Sequence, residues 1–235
     1  MIIIRSFLYT LLMAISVVIF ASTISFFSFF LNSAQLSTIA NYWGRFNLYL
    51  LRTICNLKYE IQGWENLPKD QPFIIIAKHQ STWETMALRG LLPNKQSWIL
   101  KKELINYPFF GRALLKTGQI AIDRSQGRKA LKALIEQGVS ALSKNKIVII
   151  FPEGTRTRYG EDSKYHIGGA LLAEKSQVPV LPIVHNAGKF WPKGFLIHPG
   201  TINLVIGKPI STIGLKAKKI NELTKQWIED RMKQF

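Results

Sequence analysis

The sequence predicts an α/β fold: a mostly parallel sheet flanked by helices, preceded by an N-terminal membrane helix and an interfacial helix. Three observations predict it. Short β-branched runs alternate with helix-period segments beyond Lys58. Ser6 to Gly44 contains no charged residue. Leu36 to Leu57 interleaves aromatics with arginines.

The uncharged stretch comes first in the chain. Residues 6–31 are predominantly apolar, and about 20 such residues span a hydrocarbon core as a helix. A cleavable leader would have a shorter apolar core followed by a small-residue cleavage site. Arg5 precedes the segment, whereas Arg45, Arg52 and Lys58 follow it, and the first acidic residue is Glu60. The heavier positive flank places the remainder of the chain on the cytoplasmic side. In residues 36–57, Tyr42, Trp43, Phe46 and Tyr49 alternate with Asn41, Arg45 and Arg52. Rings and cations together suit the headgroup layer, so this segment is expected to lie along one leaflet. Residues 1–57 are therefore read as a membrane anchor and residues 58–235 as the catalytic domain.

Within that domain, Phe73–Ala77 (FIIIA) and Ile147–Phe151 (IVIIF) read as buried strands. Gln119–Ile122, Val178–Val184 and Ile202–Ile206 read as further strands. Ser81–Leu91 opens with a cap-like Ser-Thr and reads as a helix. Residues 126–142 carry Leu131, Leu134, Ile135, Gly138 and Leu142 at helical spacing. Ala217–Phe235 closes the chain as a basic amphipathic helix. Alternating strands and helices imply a parallel sheet, whose sites form where strands end.

Composition narrows the function classes. Aliphatic and aromatic residues make up 47% of the 235, too many for a disordered chain. The lone cysteine, Cys55, excludes an intrachain disulfide, and no Cys/His cluster has zinc spacing. The net charge of +17 calls for an anionic partner, either nucleic acid or anionic lipid. The apolar N-terminus and the lack of a nucleic-acid motif favour lipid.

Two polar constellations fall at strand ends. In Lys78-His79-Gln80-Ser81-Thr82-Trp83-Glu84, the histidine follows strand FIIIA and the acid lies about one turn into the next helix. A carboxylate partner would fix the imidazole tautomer and let its free nitrogen take a proton from a hydroxyl. This is triad logic with the nucleophile supplied by the substrate. Read alone, the pair is more often a loop histidine beside a first-turn acid favoured by the helix dipole. The second constellation runs straight out of IVIIF: Pro152-Glu153-Gly154-Thr155-Arg156. Gly154 permits a tight turn whose N–H groups converge, Thr155 adds a hydroxyl, and Arg156 offers a fork suited to phosphate. Glu153 either orients Arg156 or holds a substrate hydroxyl. Alone, the peptide also reads as a polar turn. Arg124, after strand QIAI, either pairs with Asp123 on the surface or adds a second cation over the same phosphate.

Together these pieces resemble the glycerolipid acyltransferase family, in particular its bacterial 1-acylglycerol-3-phosphate acyltransferases. The resemblance rests on four ordered motifs: His79 with Glu84, Gly118–Arg124, Phe151–Arg156 and Val178–Pro182. Lys78 stands where the family usually has Asn, and Glu84 where it usually has Asp. The resemblance implies that His79, oriented by Glu84, deprotonates the sn-2 hydroxyl of lysophosphatidic acid, whose phosphate rests on Arg156, Thr155, Gly154 and Arg124. Acyl-CoA or acyl carrier protein would donate the chain, membrane lipids would surround the site, and no metal or cofactor would be needed. It also implies the bacterial inner membrane, with the catalytic domain facing the cytoplasm. Other acceptors, lyso-ornithine lipid or glycerol 3-phosphate, stay open. A serine hydrolase lacks its Gly-x-Ser-x-Gly here, and a basic nucleic-acid-binding membrane protein is the remaining alternative.

Overall fold

A computed structural model describes residues 1–235. In chain order the elements are α1 (Ile2–Phe27), α2 (Ser33–Ile54), β1 (Leu57–Gln62), β2 (Ile74–Ala77), α3 (Trp83–Leu91), β3 (Gln96–Lys101), α4 (Phe110–Lys116), β4 (Ile120–Ile122), α5 (Arg128–Ser143), β5 (Ile147–Ile150), α6 (Gly168–Ser176), β6 (Val180–His185), α7 (Ala187–Phe190), β7 (Gly200–Ile206) and α8 (Ala217–Met232). The seven strands form one sheet in the order β1-β7-β6-β2-β5-β3-β4. All neighbours run parallel except β6 and β7.

The strands that are apolar at every position, β2 and β5, lie beside each other in mid-sheet, because both of their faces are covered. Alternation divides their side chains between two cores. Ile75, Ala77 and Ile149 face Leu48 and Leu51 of α2 and Trp83 and Met86 of α3. Ile74, Ile76, Val148 and Ile150 face Leu142 of α5, Leu172 of α6, and Ile220 and Ile228 of α8. The C-terminal ends of β2 and β5 therefore emerge side by side, carrying the two polar constellations with them.

Element boundaries shift for identifiable reasons. α3 starts at Trp83 rather than Ser81, because the Gln80 and Ser81 N–H groups are taken by the Glu84 carboxylate. α2 starts at Ser33, ahead of the expected residue 36. Asn32 caps it, and Gln35 returns a hydrogen bond to the Asn32 N–H, completing a capping box. It ends at Ile54 because Leu57 already belongs to β1. β1 and β3 escape the periodicity reading: LKYEIQ exposes Lys58 and Glu60 at the sheet edge, and QSWILK opens on buried polar residues.

α1 is long and apolar enough to cross a membrane. Its sides are inverted relative to a soluble helix. Ser6, Tyr9, Ser16 and Ser25 face the protein, while Ile4, Phe7, Val18, Ile19 and Phe26 face outward. The inward hydroxyls are hydrogen-bonded: Ser6 Oγ accepts from Ile197 N at 2.9 Å, and Ser25 Oγ donates to Phe109 O at 2.7 Å. Ser16 Oγ accepts from Trp43 Nε1 and Asn47 Nδ2 of α2. Small polar residues inward and large apolar residues outward is the packing of a helix whose surroundings are lipid.

α2 crosses α3 where two glycines meet. A Cβ on Gly44 would lie 2.5 Å from Gly90 N, and one on Gly90 would lie 2.6 Å from Arg45 N. Both obstacles are backbone, so Gly44→Ala must push the helices apart. It is expected to lower stability by about 2–3 kcal/mol, read as a drop in melting temperature of the detergent-solubilised protein. A melting temperature equal to wild type would show that the crossing is looser than described.

Candidate active site

His79 lies two residues beyond β2, and Glu84 lies in the first turn of α3, so the short loop folds one onto the other. His79 Nδ1 is 2.8 Å from Glu84 Oε1. The Glu84 side chain is fully buried. Its Oε1 accepts from Gln80 N and Ser81 N, both at 2.9 Å, and its Oε2 accepts from Ser81 N at 3.0 Å. Burial pushes this carboxyl up, but the charge of His185 and the hydrogen bond from His79 outweigh burial and hold it below the usual carboxylate range. An ionised carboxylate only accepts, so the His79 proton belongs on Nδ1 and the lone pair on Nε2. The ring stacks on Phe151, with centroids 4.1 Å apart and planes 11° apart. A partner on one nitrogen and a wall on one face leave the imidazole few orientations.

His185, at the end of β6, was not singled out in the sequence. Its Nδ1 accepts from Ala187 N at 3.3 Å, so Nε2 carries the proton and donates to Lys78 O at 3.0 Å. Nε2 also lies 3.7 Å from Glu84 Oε2. Burial lowers the pKa of His185, against the pull of the Glu84 carboxylate. The only sequence signal is its place directly after the Val-Pro-x-x-Pro strand.

The chain leaving β5 turns at Gly154, whose φ of +71° suits glycine. The Gly154 N–H closes the turn onto Phe151 O at 3.1 Å and is not free for a ligand, contrary to the expectation of converging N–H groups. Gly154 O accepts from Arg124 Nη1. Arg124 thus reaches the FPEGTR turn across the sheet rather than pairing with Asp123, which caps Ser125 instead. Arg156 Nη1 donates to Thr82 Oγ1 at 2.8 Å, beside the start of α3. Thr157 N donates to His79 O at 2.8 Å, joining the two constellations through their backbones.

Glu153 is the one predicted site residue that does not join this group. It is buried, and its Oε1 lies 3.4 Å from both Lys78 Nζ and His79 N. It touches neither Arg156 nor the cavity. The expectation that it orients Arg156 or holds a substrate hydroxyl is corrected, because its side chain turns under the loop toward a buried cation.

His79, Arg124, Gly154, Thr155 and Arg156 share one cavity of about 520 Å³. The rest of the lining is mostly apolar and includes Phe151, Trp98, Leu104, Phe110 and Leu114, with Val17, Phe20 and Ile24 of α1 and Trp43 of α2. Arg89 of α3 also lines the cavity, with Cζ 5.5 Å from the Trp98 ring centre. Burial lowers its pKa to about 9. A base, an anion-seeking rim and an apolar channel in continuity suit an amphiphile with a phosphate or other anionic head.

Residues 58–186 match the family model described as Acyltransferase. The chain belongs to that family. A 1-acyl-sn-glycerol-3-phosphate acyltransferase from Pseudomonas aeruginosa is 43% identical over an alignment covering 97% of this chain and 90% of that protein. The protein of the same description from Saccharomyces cerevisiae is 32% identical, over 78% of this chain and 61% of its own length. The crystal structure of the 1-acyl-sn-glycerophosphate (LPA) acyltransferase from Thermotoga maritima matches with a TM-score of 0.78. That match is at 25% identity and covers 98% of this chain and 97% of that one. An acyltransferase needs a base for its acceptor hydroxyl and room for an acyl chain, and His79 at the head of an apolar cavity has the geometry for both.

Proposed function

We propose that this acyltransferase esterifies the sn-2 hydroxyl of lysophosphatidic acid, forming phosphatidic acid, with acyl-CoA or acyl carrier protein as donor. The observation that carries the reading is that His79 shares one cavity with Arg124, Thr155 and Arg156 and with apolar residues of α1 and α2. The acceptor's phosphate meets the two arginines, whose forked donors fit its oxygens. Its sn-2 hydroxyl then lies at His79 Nε2, which takes the proton as the oxygen attacks the thioester carbonyl. A C–O bond forms, the C–S bond breaks, and the departing sulfur receives the proton from His79. Glu84 stabilises the imidazolium between these steps. The names of the relatives from Pseudomonas aeruginosa and Saccharomyces cerevisiae, which specify the same acceptor, support the reading.

The setting follows from the same wall. The outward apolar face of α1, and Tyr42, Phe46 and Tyr49 beside Arg45 and Arg52 on α2, support a reading in which residues 1–57 anchor the protein in the bacterial inner membrane and residues 58–235 lie on its cytoplasmic side. Lysolipid and product partition into that lipid, so the cavity loads from where its substrates reside.

Arg156→Ala tests the phosphate role. It is expected to raise KM for lysophosphatidic acid about tenfold and to leave kcat/KM for phosphate-free 1-acylglycerol unchanged. Equal KM values in wild type and variant would refute phosphate binding at this rim and favour an acceptor such as a lyso-ornithine lipid.

A further inference from the structure

Directly before His79 stands a cation that no catalytic step uses. Strand alternation sends the Lys78 side chain to the opposite face of the sheet from the cavity, where it is 1% exposed. Its ammonium lies 3.4 Å from Glu153 Oε1, 3.3 Å from Glu229 Oε1 and 3.1 Å from Ser163 Oγ, and 5.6 Å from the Tyr165 ring centre. Glu153 and Ser163 sit near opposite ends of the segment joining β5 to α6, and Glu229 belongs to α8. The segment also returns on itself, with His166 N donating to Pro152 O at 2.9 Å. Arg156 lies between those two anchored ends. Lys225 of α8 faces the same Tyr165 ring at 5.8 Å.

We propose that Lys78 is a positioning residue for the acceptor phosphate: its ammonium clamps both ends of the 151–167 segment, and α8 beneath it, so that Thr155 and Arg156 present their donors at a fixed distance from His79. The inference rests on the phosphate reading given above. A cation without water is an unfavourable way to gain stability, and replacement of such networks by apolar groups is often neutral. What the cluster supplies here is geometry. It binds the strand that carries His79 to the turn that carries Arg156, so the base and the anion rim move as one body. The cluster reaches His79 only at its backbone, through Glu153 on His79 N, whereas the Glu84 side of the catalytic pair is held separately by Gln80 N, Ser81 N and His185 on the other face. Loss of the clamp should therefore weaken acceptor binding more than it slows proton transfer.

The test compares kinetics of the full-length, detergent-solubilised chain on lysophosphatidic acid and on 1-acylglycerol. Lys78→Met should raise KM for lysophosphatidic acid about tenfold and lower kcat less than about threefold. Its kcat/KM for 1-acylglycerol should be unchanged. Glu229→Gln removes only the partly exposed arm and should raise the same KM about threefold. It carries the test if Lys78→Met does not fold. A general loss of packing would lower turnover on both acceptors together, and that result overturns the proposal, as does a wild-type KM in the folded variants. Arg156→Ala in the same assay separates the two levels. If it raises KM while the Lys78 and Glu229 variants do not, only the clamp is wrong. If it leaves KM unchanged, the phosphate reading fails and the clamp inference fails with it.

Discussion

His79→Ala is expected to lower acyl transfer about 10³-fold while leaving the protein folded and membrane-bound. The size of the effect follows from the acceptor's chemistry: an alcohol is a poor nucleophile unless its proton is taken as it attacks. His79 Nε2 is the lone pair that the geometry leaves free beside the cavity, because Nδ1 is committed to Glu84 at 2.8 Å. Neighbouring bases do not substitute. His185 is buried and has both nitrogens occupied, and Glu153 faces the other side of the sheet. The structural cost should be small. The His79 side chain is partly exposed, and its loss removes one ring stack and one of the hydrogen bonds to Glu84. The apolar helix α1, long enough to cross a membrane, is not touched by the substitution. Turnover above about a tenth of wild type in the purified variant would remove His79 from the mechanism.

How much of this was legible in the sequence depended on how local each signal was. The FIIIA and IVIIF runs are buried on both sheet faces, so uninterrupted β-branched residues identify them and place the two constellations at neighbouring strand ends. The His79–Glu84 contact spans five residues and follows from a loop entering a helix. β1 was hidden because an edge strand keeps charges on its open side, and β3 because its first buried positions are Gln96 and Ser97. Long-range contacts left no linear trace. Nothing in the chain's order says that Arg124 reaches Gly154, that His185 backs Glu84, or that Lys78 meets Glu229 across 151 positions. Glu153 is hidden for the same reason: within FPEGTR it sits near Arg156, and only folding directs the two side chains to different partners, Lys78 and Thr82. Hydropathy alone marks α1 as long and apolar enough to cross a membrane. Its inward row of serines, and hence its role as a cavity wall, became visible only with a packing partner.

Glu84→Gln is the sharpest probe of the pair, because it keeps the shape and changes one atom's hydrogen-bonding sense. Oε1 accepts from His79 Nδ1, Gln80 N and Ser81 N, while Oε2 accepts from Ser81 N and faces His185 Nε2. Every group around this carboxylate donates. A glutamine has one acceptor oxygen, so one of its two positions must present NH₂ to a donor. With NH₂ toward His79, the imidazole must move its proton to Nε2 and ceases to be a base on the cavity side. With NH₂ toward His185, two donors face each other in a dry site. The first arrangement predicts a loss of transfer of about 10³-fold, and both predict a loss of about 3 kcal/mol in stability. The pH dependence has a definite sign. The folded-state pKa of Glu84 is depressed, so its contribution is fully present above the unfolded carboxylate value of about 4.3 and is lost as pH falls through the folded value. Burial raises the Glu153 pKa and acts with the opposite sign, but Glu153 is present in both proteins and cancels in the difference. The gap in melting temperature between wild type and Glu84→Gln should therefore be widest above about pH 5 and narrow progressively below about pH 4. A gap that stayed constant through that range would mean that Glu84 is not held ionised by its neighbours, and the assignment of the free lone pair to His79 Nε2 would lose its basis.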